Sequence, residues 1–452
     1  MTLTPMHSEL LGDEAMEALF SDRSNIRYML NFEAALARAE ASQGVIPLAA
    51  AEQIRKIALD LMIEPEHLSA ATARDGVSVP EFVRRIREAV GPVAGPYVHW
   101  GATSQDVTDT SLVLRLREAL DIIERRLSSL AELLADMADA HRATVMLGRT
   151  RHMQAAPMTF GGKVAAWLSS VLRHLERVRE VRPRVEVLSF AGAVGTLSVF
   201  GDKADAVAKQ LAKELHLAQS DTVWHTQRDR IVEFADLCAS VSGSLGKIGA
   251  DCAHLASSEV GEISIRGAGG SSTMPNKTNP ISAEMLITLA RFNAGAISGV
   301  HQASLQEHER GGPGWALEWL TLPSVVITCG ASLRTAEGLI KSIDVNVERM
   351  RANIDSSLGL PYAEAASFML AEHMPRQEAQ ALLKEVCKSA LAEQRHLRDA
   401  LSQRAPELSA VQNSLFSDDW IIASTKSAID RVLAKARALV AQKNEVAQKS
   451  AT

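Results

Sequence analysis

The chain has 452 residues, of which 46% are hydrophobic and 23% charged, with a formal net charge of −6. This length buries a large core, divided by the usual size of a domain into roughly two to four parts. A mildly acidic chain without a basic field excludes a protein organised around nucleic acid or an anionic membrane surface.

Aromatic residues make up only 4% while Ala and Leu abound, and strands favour aromatic and β-branched residues, so an all-α fold is expected. The stretch MTLTPMHSELLGDEAMEALF carries neither a basic segment followed by an apolar run nor an Arg-rich, acid-poor composition. No stretch is expected to span a membrane, and the cytoplasm is the expected compartment. NFEAALARAEASQGVIP reads as a helix ended by Gly44 and Pro47, within an all-helical N-terminal domain over 1–105. From Leu116 the apolar positions Leu116, Leu120, Ile123, Leu127, Leu130, Leu134 and Met137 alternate steps of four and three, the stripe of one long helix. Val164, Trp167, Leu168, Val171, Leu175 and Val178 repeat the pattern up to Pro183. A third stripe runs Ile231, Phe234, Leu237, Val241, Leu245, Ile248 towards Leu255, and a less regular fourth covers 281–305. Helices of this length lie side by side in a bundle, expected over 106–355, and some apolar faces are wide enough to meet other copies of the chain in a homo-oligomeric helical core. After Leu358 and Gly359 the pattern shortens into a small helical domain over 356–452 with a Lys- and Ala-rich tail. The cysteines, Cys238, Cys252, Cys329 and Cys387, lack CxxC spacing and are expected as buried small hydrophobes, neither disulfides nor zinc ligands.

Polar islands punctuate this pattern. HWGATSQDVTD, over 99–109, sets His99, Thr103, Ser104 and Gln105 before the first long stripe, where Thr103, Ser104 or Asp106 serves equally well as a helix N-cap. GRTRHMQAAP, over 148–157, gathers Arg149, Arg151, His152 and Gln154, and WHTQRDR, over 224–230, gathers His225, Gln227, Arg228 and Arg230. The loop GAGGSSTMPNKTNP, over 267–280, lacks the GxxxxG offset of a phosphate loop, the GxGxxG of a dinucleotide site, and any carboxylate, His or Cys for a metal. What its composition suits is an anion site that changes shape, with glycines as hinges, Lys277 and Asn279 for carboxylate oxygens, and Ser271 or Ser272 as proton carrier. Donor-rich, acid-poor islands at helix ends share one ligand chemistry, a polycarboxylate.

GSSTMPNKTNP resembles the signature loop of the fumarase/aspartase superfamily, with one residue fewer between Ser and Met. HWGATSQD, GRT…AAP and the helical layout extend the likeness across nearly the whole chain. FSDRSNIRYMLNFEAALARAEAS, WHTQRDRIVEFA, QEHERGGPGWALEWLTLP and AEQRHL are similar to the bacterial 3-carboxy-cis,cis-muconate cycloisomerases more than to adenylosuccinate or argininosuccinate lyases. The resemblance implies a homotetramer with a central helical bundle, active sites assembled from three chains, and no metal or organic cofactor. It implies Ser271 as the base, with Lys277 and Asn279 holding a substrate carboxylate or its enediolate-like form. Thr103 and Ser104 would bind carboxylate, His99 would line the pocket, and Gln227 and Arg228 would come from a neighbouring chain. The GRT island adds Arg149, Arg151, His152 and Gln154 as substrate-binding candidates.

Two departures bear on the substrate. Arg151 stands where many lyases of the superfamily carry His, and MPNKTNP replaces the MPHKRNP usual in the cycloisomerases. Epimerisation or C–N cleavage of an amino-polycarboxylate such as iminodisuccinate needs the same carboxylate clamps and proton handling, and a non-catalytic polycarboxylate-binding homologue is the remaining class.

Overall fold

The computed structural model describes residues 4–267, 269–270, 272–406 and 414–450. Ser271, the expected base, lies outside the described residues. The N-terminal helices are α1 Pro5–Leu11, α2 Glu14–Leu19, α3 Asp22–Ser42, α4 Leu48–Asp60, α5 Glu66–Asp75 and α6 Val79–Val90. The long helix α7, Ser104–Ala140, leads into strands β1 Val145–Thr150 and β2 Met153–Thr159, then α8 Phe160–Val185, α9 Ala204–Leu215 and α10 Asp229–Leu255. Short strands β3 Ile263–Ile265, β4 Gly269–Gly270 and β5 Thr278–Asn279 precede α11 Ile281–Ala303 and α12 Gly312–Ser342. Strand β6 Ile343–Val345, helices α13 Val347–Asp355, α14 Ala363–Leu370, α15 Arg376–Ala392 and α16 Leu397–Arg404, and a last helix Asp419–Ser450 complete the chain. The fold is all-α, with short antiparallel pairs β1–β2, β3–β6 and β4–β5 among the described residues.

The apolar stripes are the buried faces. Leu116, Leu120, Ile123, Leu127, Leu130 and Leu134 of α7 are fully buried, as are Val164, Leu168, Val171, Leu175 and Val178 of α8 and Phe234 and Val241 of α10. Helix α8 runs two residues past Pro183, because a proline in a last turn removes only one ladder bond. Helix α12 departs from expectation: by length and composition alone it is apolar enough to cross a membrane. Most of that apolar stretch is buried within the fold, and Glu318 on the helix pairs with Arg228.

The described chain divides into two compact units. The first comprises Met1–Arg126, Glu176–Gly243 and Thr288–Arg334; the second comprises Leu127–Leu175, Ser244–Ile287 and Thr335–Thr452. In the first, α3 packs against α4 and α9 and is buried on nearly every side, including two carboxylates, Glu33 and Glu40. Neither carboxyl oxygen of Glu40 has a hydrogen-bond partner among the described residues. Burial, followed by the nearby Glu33, pushes the Glu40 pKa up to about 9. The second unit has its own core, in which Leu147 of β1 meets Ile354, Tyr362, Leu383, Leu397, Leu401 and Ile421.

The GRT island is not a helix end but a hairpin. Arg149 pairs with Gln154 and Thr150 with Met153, leaving Arg151 and His152 as a two-residue turn with φ of 52° and 67°. Two-residue hairpins of type I′ need positive φ at both central positions, which Asn and Gly adopt most readily. Here a long cation and an imidazole hold that conformation, which costs roughly 1–2 kcal/mol per residue without glycine.

Two stability measurements check these points. Glu40 keeps its proton in the folded state and loses it in the unfolded chain, so stability falls as pH rises from the ordinary glutamate range towards 9. Glu40→Gln is therefore expected to raise the denaturation midpoint at pH 8 by the equivalent of a few kcal/mol, at about 1.4 kcal/mol per pKa unit, and to change little below pH 4.5. An equal effect at both pH values would remove the buried-acid reading. Replacing the turn by Arg151→Asn with His152→Gly is expected to raise Tm, stabilising by about 0.5–2 kcal/mol; a lower Tm would mean that the turn is unstrained.

Candidate active site

In the first unit the island before α7 is organised by one carboxylate. Thr103 stands at the N-cap, and Asp106, three residues on, reaches back so that its Oδ2 accepts from the Thr103 backbone N–H at 2.9 Å, half of a capping box. The same oxygen accepts from Gly192 N–H at 3.0 Å, while Oδ1 accepts from Ala191 N–H and bonds His225 Nε2, each at 2.8 Å. Asp106 is fully buried. Of the three N-cap candidates, Thr103 therefore takes the position and Asp106 locks it.

The preceding turn is equally constrained. Gly101 has φ of 70°, and a Cβ there would sit 2.4 Å from the Phe200 ring. His99 also has positive φ, and its Nδ1 meets buried Glu33 at 2.7 Å. Burial lowers the His99 pKa, but Glu33, helped by Asp106, more than reverses this and leaves it raised.

The network brings two islands of this unit together. Gln105 Nε2 donates to the His225 carbonyl at 2.7 Å and to Asp109 at 3.1 Å, while Arg310 donates to Gln105 Oε1. Arg228 is held between Asp109 (2.7 and 3.2 Å) and Glu318 (2.9 and 2.6 Å), its guanidinium near the Trp224 ring. Burial opposes the Arg228 charge, and the two carboxylates outweigh it, so its pKa is raised. Arg228 is 2% exposed and its donors are spent on protein; neighbouring Gln227 is exposed. Thr103 and Ser104 remain half-buried.

The second unit repeats this division of labour. Arg149 forms a bidentate pair with fully buried Glu262 at 2.7 and 2.8 Å, and Asn353 donates to the same carboxylate at 2.9 Å. Arg151, His152 and Gln154, beyond it on the hairpin, are exposed, and the His152 ring lies edge-on to His254 at 5.0 Å between centroids. In the signature loop, Gly269 pairs with Asn279 and Gly270 with Thr278. Lys277 is exposed and Asn279 half-buried.

These side chains fall into two chemical sets. Arg149 and Arg228 are neutralised by buried carboxylates and act as struts. Lys277, Arg151, Gln154 and Gln227 make no side-chain hydrogen bond or ion pair among the described residues, and these are the donors free to take carboxylate oxygens. Among the described residues no three His, Cys, Asp or Glu side chains gather as metal ligands. Sequence reasoning missed Glu33, Asp109, Glu262, Arg310 and Glu318. Glu33 left one trace, a charge on an otherwise apolar helix face; the others are matched to their partners only by the fold.

Comparison with known proteins identifies the family. Residues 12–294 match the family described as Lyase. A 3-carboxy-cis,cis-muconate cycloisomerase of Pseudomonas aeruginosa is 42% identical over 434 residues, covering 94% of this chain and 95% of its own. The crystal structure of a 3-carboxy-cis,cis-muconate lactonizing enzyme from Pseudomonas putida superposes with a TM-score of 0.91 at 40% identity, over 96% of this chain and all of its own. That of a fumarate lyase from Mesorhizobium sp. BNC1 gives 0.88 at 36% identity, over 94% and 98%. The chain therefore belongs to the lyase family of the fumarase/aspartase superfamily, as a cycloisomerase-like enzyme.

Proposed function

We propose that the enzyme lactonises 3-carboxy-cis,cis-muconate or a closely similar unsaturated tricarboxylate. The observation that carries this reading is 42% identity, over 94% of the chain, to a cycloisomerase named for that substrate, and a signature loop bearing Lys277 and Asn279 supports it. One substrate carboxylate oxygen adds to an alkene carbon, forming a C–O bond. The electron pair moves to the neighbouring carbon next to a second carboxylate, and a proton taken up there forms a C–H bond. One C=C bond is consumed and nothing leaves.

Charge builds on that second carboxylate as it becomes enediolate-like, and Lys277 with Asn279 stabilises it there. Ser271 handles the proton. Thr103, Ser104 and His99 hold a further carboxylate, with Gln227, Gln154, Arg151 and His152 completing the clamp. Arg149 and Arg228 position these groups without touching substrate. The subunits form a homotetramer whose sites draw residues from three chains, with residues 1–105, 106–355 and 356–452 as the three parts of each subunit. The enzyme works in the cytoplasm with no metal or organic cofactor, and binds neither nucleic acid nor membrane. A second reading, cleavage of a substituted succinate to fumarate, is favoured by the likeness to the Mesorhizobium fumarate lyase and by Asn276 and Thr278 beside Lys277.

Turnover in D₂O separates the chemistries. Lactonisation gives a product with one deuterium next to a carboxylate and loss of the diene absorbance. Fumarate release from an amino-substituted succinate would establish the lyase reading, and deuterium at an inverted centre without cleavage an epimerase. Ser271→Ala is expected to lower kcat by about a hundredfold or more with unchanged helical circular dichroism, and Lys277→Ala to impair both KM and kcat. Near-normal turnover of Ser271→Ala would transfer the proton to Ser272. Light scattering is expected to give a mass near four times 48.7 kDa, and an active monomer would overturn the shared-site assembly.

A further inference from the structure

The first unit contains a cavity of about 580 Å³ that the reaction above does not use. It lies among α3, α5, α7 and α12, and its apolar walls include Phe20, Leu68, Leu112, Trp319 and Leu322. A volume in the range of small-molecule sites, with mostly apolar walls and a few polar groups, is the usual form of a pocket for a compact organic ligand.

Its polar groups are specific. Arg115 lines the cavity with Nε donating to the Ser111 carbonyl at 3.2 Å and its guanidinium 5.6 Å from the Phe20 ring centre. Its terminal nitrogens make no hydrogen bond or ion pair among the described residues. Asn25, also on the wall, accepts from Ser111 through its carbonyl oxygen, and its side-chain NH₂ donates to no described residue. A cation and an amide therefore stand unpaired beside each other's wall in a pocket that is otherwise apolar. Burial lowers the Arg115 pKa to about 10, only partly offset by Asp22, a sign that no partner compensates its desolvation.

The remaining charges set the ligand's valence. Asp22, Asp109 and Glu318 also line the cavity, and the last two are committed to Arg228. A polyanion would face these three carboxylates, whereas one carboxylate on an apolar body meets Arg115 and Asn25 while its body covers the apolar wall. We propose that this cavity binds an aromatic monocarboxylate, distinct from the polycarboxylate substrate. Phe20 and Trp319 supply aromatic surface for the ring. The site also touches function: Asp109 links its wall to Arg228, which adjoins Gln227, so an occupant alters the support of a substrate-binding island.

Isothermal titration of the full-length protein with benzoate tests this, with citrate as the polyanion and benzyl alcohol as the neutral control. Benzoate is expected to bind once per chain, and both controls far more weakly. Arg115→Gln is expected to weaken benzoate binding by about ten- to a hundredfold, the scale of a charge-assisted hydrogen-bond pair. Ser69→Trp, at an exposed position on the cavity wall, is expected to fill the cavity and abolish binding with unchanged helical circular dichroism. Lys277→Ala leaves it unchanged, which separates this site from the catalytic one. No benzoate binding at millimolar concentration, unchanged affinity in Ser69→Trp, or loss of binding in Lys277→Ala would each overturn the proposal.

Discussion

A charge without water must be answered by the protein, and the first unit is organised around that demand. Asp106 accepts or shares four hydrogen bonds from Thr103, Ala191, Gly192 and His225, which come from three separate stretches of chain. One turn further along α7, Asp109 shares Arg228 with Glu318. Removing a single partner from such a buried pair typically costs about 3–5 kcal/mol, because the other charge is left bare. The consequence is geometric. The island before α7 and the one before α10 cannot drift apart without exposing charges that nothing else neutralises, so His99, Thr103, Ser104 and Gln227 are held by groups that themselves stay away from solvent. Arg149 with Glu262 and Asn353 gives the second unit the same kind of frame.

The helices were legible because their information is local. A stripe with steps of three and four reports one buried face, and Leu116 through Leu134 needed no knowledge of what covers them. The signature loop was legible for a different reason, since Gly269, Gly270, Lys277 and Asn279 together have few uses. What could not be read was pairing. An arginine free to hold substrate and one already held by protein look alike in sequence, and the partners of Arg149 and Arg228 lie 113, 119 and 90 positions away. The hairpin at Arg151 and His152 is silent in the sequence because its turn lacks the Asn-Gly signal that normally marks one.

The division between struts and free donors also bears on specificity. Positive charge that is already balanced cannot select among substrates, whatever its proximity. Lys277, Arg151, Gln154 and Gln227 are exposed and carry no such balance among the described residues, and Asn276 and Thr278 beside Lys277 are exposed and neutral. Exchanging a few unpaired side chains leaves such a buried frame intact, so specificity can change without a core being rebuilt.

Helix α12 carries this economy into biogenesis. Its apolar stretch, taken by itself, resembles a segment destined for lipid, and Glu318 is the charge that marks it otherwise. During synthesis Arg228 leaves the ribosome 90 residues ahead of Glu318 and 119 residues behind Asp109. The nascent chain thus has Asp109 and Arg228 ready as a neutral pair before α12 exists, and Glu318 is the last charge to arrive. Until it docks, one of the most apolar helices of the protein stays exposed, and that interval is when a chaperone has most to gain by binding it.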